Sequence, residues 1–241
     1  MKRLVISVAI LALLLGGCSQ SSPSTTTTIT HTVTHAITVD WVDFIQFDGI
    51  TYLRKGKDIA SLGLKLGSPY GAITFKLLGN VNEPNYSSND GDAAFLRAGT
   101  QIYTLADYSP SFRLVALSGN RVLLYEADRN PNAKYGRDLL DIASKVKYIS
   151  ITSNIDWTTE RGVFREREQV AALVDMVLDA PLTSPKPEFK WGNGVVFYMN
   201  DGTTVSQGID LGANILSRGI QVPEAFSDAI REIVSDANTS L

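Results

Sequence analysis

One cysteine and two histidines hold most of the reactive side-chain chemistry in this sequence: Cys18, His31 and His35. The Cys18 thiol could serve as a nucleophile, half of a disulfide, a metal ligand or an attachment point for a lipid. With no second cysteine in the chain, an intramolecular disulfide is excluded. His31 and His35, four apart in HTVTH, share one side of a strand or helix and could begin a metal site. No cysteine or acidic residue stands beside them to complete it, so they read as solvated side chains. The stretch NYSSNDGD (85–92) offers oxygens to calcium, but the D-x-D-x-D-G spacing with a distant glutamate is not met. It reads as a polar hairpin loop. Two carboxylate pairs, Asp90 with Asp92 and Glu126 with Asp128, have the chemistry for acid/base work on a glycosidic bond. That work needs a cleft and a separation of about 5–9.5 Å; without them the pairs are solvated turn acids. No G-x-S-x-G elbow, H-E-x-x-H, P-loop or G-x-G-x-x-G is present. The sequence therefore assigns no catalytic residue, no metal site and no cofactor.

The setting of Cys18 decides among its roles. Lys2 and Arg3 precede twelve uncharged residues, Leu4 to Leu15. A membrane-spanning helix needs about 20 apolar residues, so this run has the length of an export-signal h-region. The A-x-A pattern of general signal cleavage is absent. Leu15-Gly16-Gly17-Cys18 instead resembles the lipobox of bacterial lipoproteins. The resemblance implies cleavage before Cys18, a diacylglyceryl group on its sulfur, and often an acylated new amino terminus. One acyl chain binds a bilayer only marginally, at about 0.8 kcal/mol per buried CH₂, so two or three chains are required for a stable anchor. On this reading residues 1–17 are a lipoprotein signal peptide, and residues 18–36, rich in Ser and Thr, are a lipidated tether. The thiol is then a lipid handle and not a nucleophile. The expected address is the exported side of a bacterial cell membrane or outer membrane. Ser19 lacks the aspartate that commonly signals inner-membrane retention, which leans towards an outer membrane where the host has one.

Loss of residues 1–17 leaves 20 basic against 25 acidic residues, a net charge of about −5. No basic stripe is available to neutralise phosphates, which argues against nucleic acid as a partner. Residues 37–241 are long enough for one large domain or two small ones.

The elements that must position any site change character near residue 158. From 37 to 157 the chain is β-rich, with short runs QIYTL (101–105), FRLVAL (112–117), RVLLYEA (121–127) and KVKYISITS (145–153) punctuated by Gly, Asn, Asp and Pro. Asp48-Gly49 between Phe47 and Ile50 predicts a two-residue hairpin. The pattern predicts a barrel or sandwich, with a helical turn at 137–142 plugging an open end. From 158 to 241 the expectation is a small two-layer helix–hairpin–helix unit, making the whole chain α+β. Val170, Leu173, Val174, Val177 and Leu178 recur at helical spacing before Pro181, and Phe226, Ile230, Ile233 and Val234 do so after Pro223. Asn200-Asp201-Gly202 marks the hairpin tip between them.

Eight of nine tyrosines fall between Tyr52 and Tyr148. A flat apolar ring with a polar tip suits peptide or sugar recognition on a sheet, although tyrosine also favours strands for packing reasons alone. The loop ADYSPSFR, with Pro110 and two serines, reads as exposed. Tyr103, Tyr108, Phe112 and Arg113 around it are the candidate ligand-binding residues. The segment 90–117 and the C-terminal helices resemble parts of bacterial envelope lipoproteins of no known activity, and that likeness carries over no site residue. The leading expectation is a non-enzymatic binding or assembly module for an envelope protein, peptide or glycan. A carboxylate-dependent hydrolase and a sensor of envelope state are the alternatives.

Overall fold

The two-residue turn at Asp48-Gly49 sets the register of the first hairpin. Both residues have positive φ, 51° and 71°, the backbone of a type I′ turn, whose twist matches that of the flanking strands. Strand β1 (Phe44–Phe47) and strand β2 (Ile50–Lys55) therefore pair with Phe47 opposite Ile50. Around them a computed structural model describes residues 40–56, 59–183 and 188–239. The leader, Cys18, the tether and both histidines lie outside the described residues.

Six more strands complete the first sheet: β3 (Leu66–Ala72), β4 (Phe75–Lys76), β5 (Asp92–Ala93), β6 (Gln101–Leu105), β7 (Arg113–Ser118) and β8 (Arg121–Arg129). Their order is β3-β6-β7-β8-β2-β1-β5-β4, antiparallel except between β4 and β5. Alternation puts Ile45, Phe47, Tyr52, Ile102, Leu114, Ala116, Leu123 and Tyr125 in one buried cluster. The sheet curls around it. Tyr70 of β3 meets Phe47 of β1 at 6.0 Å between ring centroids, although four strands lie between them in the sheet order. Gly71 permits that approach, because a Cβ there would sit 2.8 Å from the Phe47 ring.

The second sheet contains β9 (Val146–Thr152), β10 (Glu160–Phe164), β11 (Gly194–Met199), β12 (Thr204–Asp210), β13 (Ile215–Leu216) and β14 (Ile220–Gln221), in the order β10-β9-β11-β12-β13-β14. Helices α1 (Arg167–Asp179) and α2 (Glu224–Thr239) accompany it. The five apolar positions of α1 are all buried. They share a core with Ile149, Ile151, Val195, Phe197, Val205 and Ile209 of the strands and with Phe226 and Ile230 of α2. Full burial of each such side chain contributes about 1.5–3 kcal/mol relative to exposure. Helix α2 seats against β10 where Gly162 leaves room for Ile233.

The chain is α+β. In two places its organisation differs from the sequence reading. KVKYISITS, expected among the strands of the first part, is β9, which pairs with both β10 and β11 in the second sheet. The hairpin does fall between two helices with its tip at Asn200–Gly202, but β9 and β10 precede α1, so a six-stranded sheet replaces a lone hairpin. The expected helical turn is a 3-10 turn at Gly136–Asp138. The apolar residues that follow it, Leu139, Leu140 and Ile142, pack into the second core and not into that of the first sheet. Gly136 lies so close to α1 that a Cβ would overlap the Val177 carbonyl. By its internal contacts the stretch Ile37–Leu241 is one compact unit.

Candidate functional site

The loop chosen from the sequence lies where the two sheets meet, and only part of it reaches solvent. Phe112 and Arg113 are 1% and 0% exposed, so neither offers a surface to a ligand, contrary to the exposure expected of that loop. Phe112 belongs to the second core; for Arg113 the physical reason is Glu126, itself 0% exposed. Arg113 donates to its Oε1 from Nη2 at 2.6 Å and from Nε at 3.1 Å. Arg218 donates to the other oxygen at 3.2 Å. Arg113 also reaches the second sheet, donating from Nη1 to Thr203 Oγ1 at 2.9 Å, with Asp201 at 3.7 Å. A buried guanidinium needs this degree of pairing, since an uncompensated charge in the interior costs several kcal/mol.

Tyr108 is half-buried over this network. Its ring covers the Arg113 guanidinium at 4.5 Å and faces Lys145 Nζ at 4.7 Å. Its hydroxyl donates to Asp201 Oδ2 at 2.7 Å. Burial, then the hydrogen bond to Asp201, pushes the phenol well above its ordinary range. Burial acts to raise Asp201 as well, but hydrogen bonds from Thr203 and Tyr108 and the Arg113 charge outweigh it, so this carboxyl is held low. Leu62, Leu64, Lys65, Tyr108, Lys145 and Asp201 are among the residues lining a cavity of about 400 Å³ at this junction. Tyr103 takes no part in it; it sits on β6 opposite Val115 and Pro69.

Three of the four carboxylates in the two pairs, Glu126, Asp90 and Asp92, are committed to structure. Glu126 is clamped as described. Asp90 accepts from the Gly49 amide at 2.8 Å. Asp92 is buried and accepts from the Tyr86 hydroxyl at 2.9 Å and the Asn89 amide at 2.8 Å. These bonds hold the loop read as a possible calcium ligand set. Among the described residues no group of three or more His, Cys, Asp or Glu is arranged to hold a metal ion.

An exposed aromatic surface occurs elsewhere, on the face of the second sheet opposite its helices. Strand alternation places Tyr148, Ser150 and Thr152 of β9 beside Tyr198, Val196 and Gly194 of β11. Thr204, Ser206 and Gly208 of β12 continue the same rows. At one end Tyr148 and Tyr198 stack at 4.3 Å with 14° between planes, and Arg165 lies 4.9 Å over Tyr148. At the other end Trp157 and Trp191 meet edge-to-face at 5.4 Å, and Phe189 joins Trp191 at 5.0 Å. Trp191 is 69% exposed and Trp157 38%. Gly194 and Gly208 make room for them: a Cβ at Gly208 would lie 3.0 Å from both indoles. Trp157 has φ 60°, a left-handed conformation that costs roughly 1–2 kcal/mol in a non-glycine residue. Its amide donates to the Ser153 carbonyl at 3.0 Å, and Asp156 accepts from the Thr158 and Thr159 amides. Between the two aromatic ends Ser150 is buried and donates to Glu160 at 2.9 Å, while Ser206 is exposed. The sequence reading missed this face. Its only early signal was two tryptophans beside glycine-rich strands, in IDWTT and KWGNG.

No family model matches the chain, no curated protein matches it, and no solved structure matches it. No helix among the described residues is long and apolar enough to cross a membrane.

Proposed function

We propose that this protein is a lipid-anchored, non-enzymatic binding module of the bacterial cell envelope that takes a glycan on the open face of its second sheet. Cys18 holds it to the bilayer through its lipid, the Ser/Thr-rich tether spaces it from the surface, and the second sheet presents the receptor face. The observation that carries the reading is the Trp157–Trp191–Phe189 cluster, exposed at both tryptophans, with a stacked tyrosine pair two rows away and the exposed Ser206 in the row between. A sugar ring has an apolar C–H face that packs on an aromatic plane, while its hydroxyl edge needs hydrogen-bond partners. Exposed aromatic side chains that cluster are more informative than scattered ones, because apolar surface left in water is retained where a partner covers it.

The test is retention of the full-length, detergent-solubilised protein on immobilised cell-envelope polysaccharide. Trp191→Ala and the Tyr148→Ala/Tyr198→Ala pair should each reduce retention at least 10-fold, with the unfolding midpoint of the Trp191 variant unchanged. Equal retention of wild type and both variants overturns the assignment to this face. No retention of the wild type on any polysaccharide overturns the glycan reading.

A further inference from the structure

A second site stands at one end of the curled first sheet, away from the aromatic face. The β7–β8 hairpin, the end of β2 and the loop 95–100 surround a cavity of about 620 Å³. That volume is within the range of small-molecule sites, and the mouth of a curled sheet is a usual place for one. Leu96 and Leu123 of the buried cluster give it an apolar floor. Its wall carries three arginines, Arg54, Arg97 and Arg121, and one acid, Asp43.

In a chain whose overall charge is negative, three guanidinium groups here face a single carboxylate. None of the three arginines is in an ion pair among the described residues, in contrast to Arg113, Arg137, Arg218 and Arg231. Asp43 is occupied by the Tyr125 hydroxyl, which donates to its Oδ1 at 3.0 Å. Burial holds its carboxyl above the ordinary range in spite of that bond and of Arg54 and Arg121. Arg54 is fixed from behind, donating from Nη1 to the Lys55 carbonyl at 2.7 Å and the Gly56 carbonyl at 3.2 Å. The remainder of its fork is left for a ligand. Arg97 and Arg121 are exposed on the rim.

We propose that this cavity binds a phosphate monoester, with Arg54, Arg97 and Arg121 taking the phosphoryl oxygens and the leucine floor taking the body that carries it. Three guanidinium charges against one carboxylate leave about two positive charges, which complement the roughly −1.5 to −2 of a phosphate monoester near neutral pH. Planar guanidinium forks match tetrahedral oxyanions bidentately, which lysines cannot do. The site is independent of the glycan face, and neither depends on the other being correct.

The experiment is calorimetric titration of the full-length chain in non-ionic detergent with three soluble probes: inorganic phosphate, glucose 6-phosphate and glucose. Vesicles of phosphatidylcholine with and without phosphatidic acid form a separate arm. Glucose 6-phosphate should bind saturably and more tightly than inorganic phosphate, and glucose should show no Arg97-dependent binding. Arg97→Gln and Arg121→Gln, both at exposed positions, should each weaken binding about 10-fold. Arg129→Gln, at the far end of β8, should leave it unchanged. Arg97-dependent binding to phosphatidic acid vesicles with no glucose 6-phosphate binding supports the phosphoryl site and identifies a lipid headgroup as its source. Absence of saturable binding in every arm overturns the proposal. So does equal weakening by all three substitutions, which would mean diffuse charge attraction and not a site. Trp191→Ala, which tests the glycan face, should not alter the Arg97-dependent binding.

Discussion

Glu126→Gln should be among the most damaging single substitutions in this protein. Glu126 is 0% exposed and is the common partner of two buried arginines, Arg113 and Arg218. An amide can still accept from Arg113, but its NH₂ group then faces Arg218, and the negative charge is gone. Removing one member of a buried ionic cluster costs about 3–5 kcal/mol, because the remaining charges stay buried without compensation. Asp201 at 3.7 Å from Arg113 softens the loss on that side; nothing comparable serves Arg218, whose Nη1 has no hydrogen-bond partner. Whole-domain stabilities run about 5–15 kcal/mol, so the urea midpoint should fall by roughly 1–2 M at a slope near 2–3 kcal/mol/M. The network joins strands of the first sheet to the β11–β12 turn of the second. The transition should therefore be shared: Trp41 beside Phe44 and Trp157 with Trp191, observed separately in Trp→Phe variants, should report one midpoint. Replacing all three charged residues together, Arg113→Met with Glu126→Leu and Arg218→Met, should restore most of the loss. A cost below about 1 kcal/mol for Glu126→Gln, or a midpoint shift seen by only one set of tryptophans, would refute the reasoning.

Four further outcomes follow from the same geometry. Gly136→Ala should destabilise by about 1–3 kcal/mol in urea titration, since the methyl group overlaps the Val177 carbonyl and forces α1 outward. Tyr108→Phe deletes the hydroxyl that donates to Asp201 and should cost about 1–2 kcal/mol by the same measurement. Asp156 should titrate at about 2 in a carboxyl NMR experiment, because the Thr159 hydroxyl and the Thr159 and Thr158 amides favour its ionised form. A depressed carboxylate contributes fully above its unfolded pKa near 3.8 and ceases to contribute as pH falls towards 2. Trp157 fluorescence should hence stay constant down to about pH 4, and Thr159→Val should move the Asp156 midpoint upward. Cys18→Ala should shift the protein from the membrane fraction to the soluble one on cell fractionation, and an unmodified thiol by intact mass in the wild type would refute the anchor.

Local patterns in the sequence were sufficient for several elements. Asp48-Gly49 specifies its hairpin because two consecutive positive-φ residues suit few other turns. The α1 stripe from Val170 to Leu178 specifies a helix and the face it buries, because the period of 3.6 is written into five residues. Strand β3 was not legible, since LGSPYGA carries two glycines and a proline. It is tolerated because β3 is an edge strand, where Pro69 need not supply a ladder hydrogen bond. Strand β10, ERGVF, was missed because Gly162 is a packing accommodation for Ile233 of α2, which has no local signature.

The site depended still more on tertiary structure. Chain composition places tyrosines in strands but does not tell which ring ends in a core, so Tyr52 and Tyr125 are buried while Tyr148 and Tyr198 stack half-buried on the face of the second sheet opposite its helices. Arg113 was legible as a charged residue and was expected at the surface; only the arrival of Glu126, Thr203 and Arg218 from other strands makes its burial affordable. The two tryptophans, 34 positions apart in the chain, become one surface only because Gly194 and Gly208 pair across β11 and β12 beneath them. Short-range periodicity and turn chemistry are properties of neighbouring residues, and the sequence carries them directly. Partnership between distant residues is a property of strand order, and it exists only once the sheets have formed.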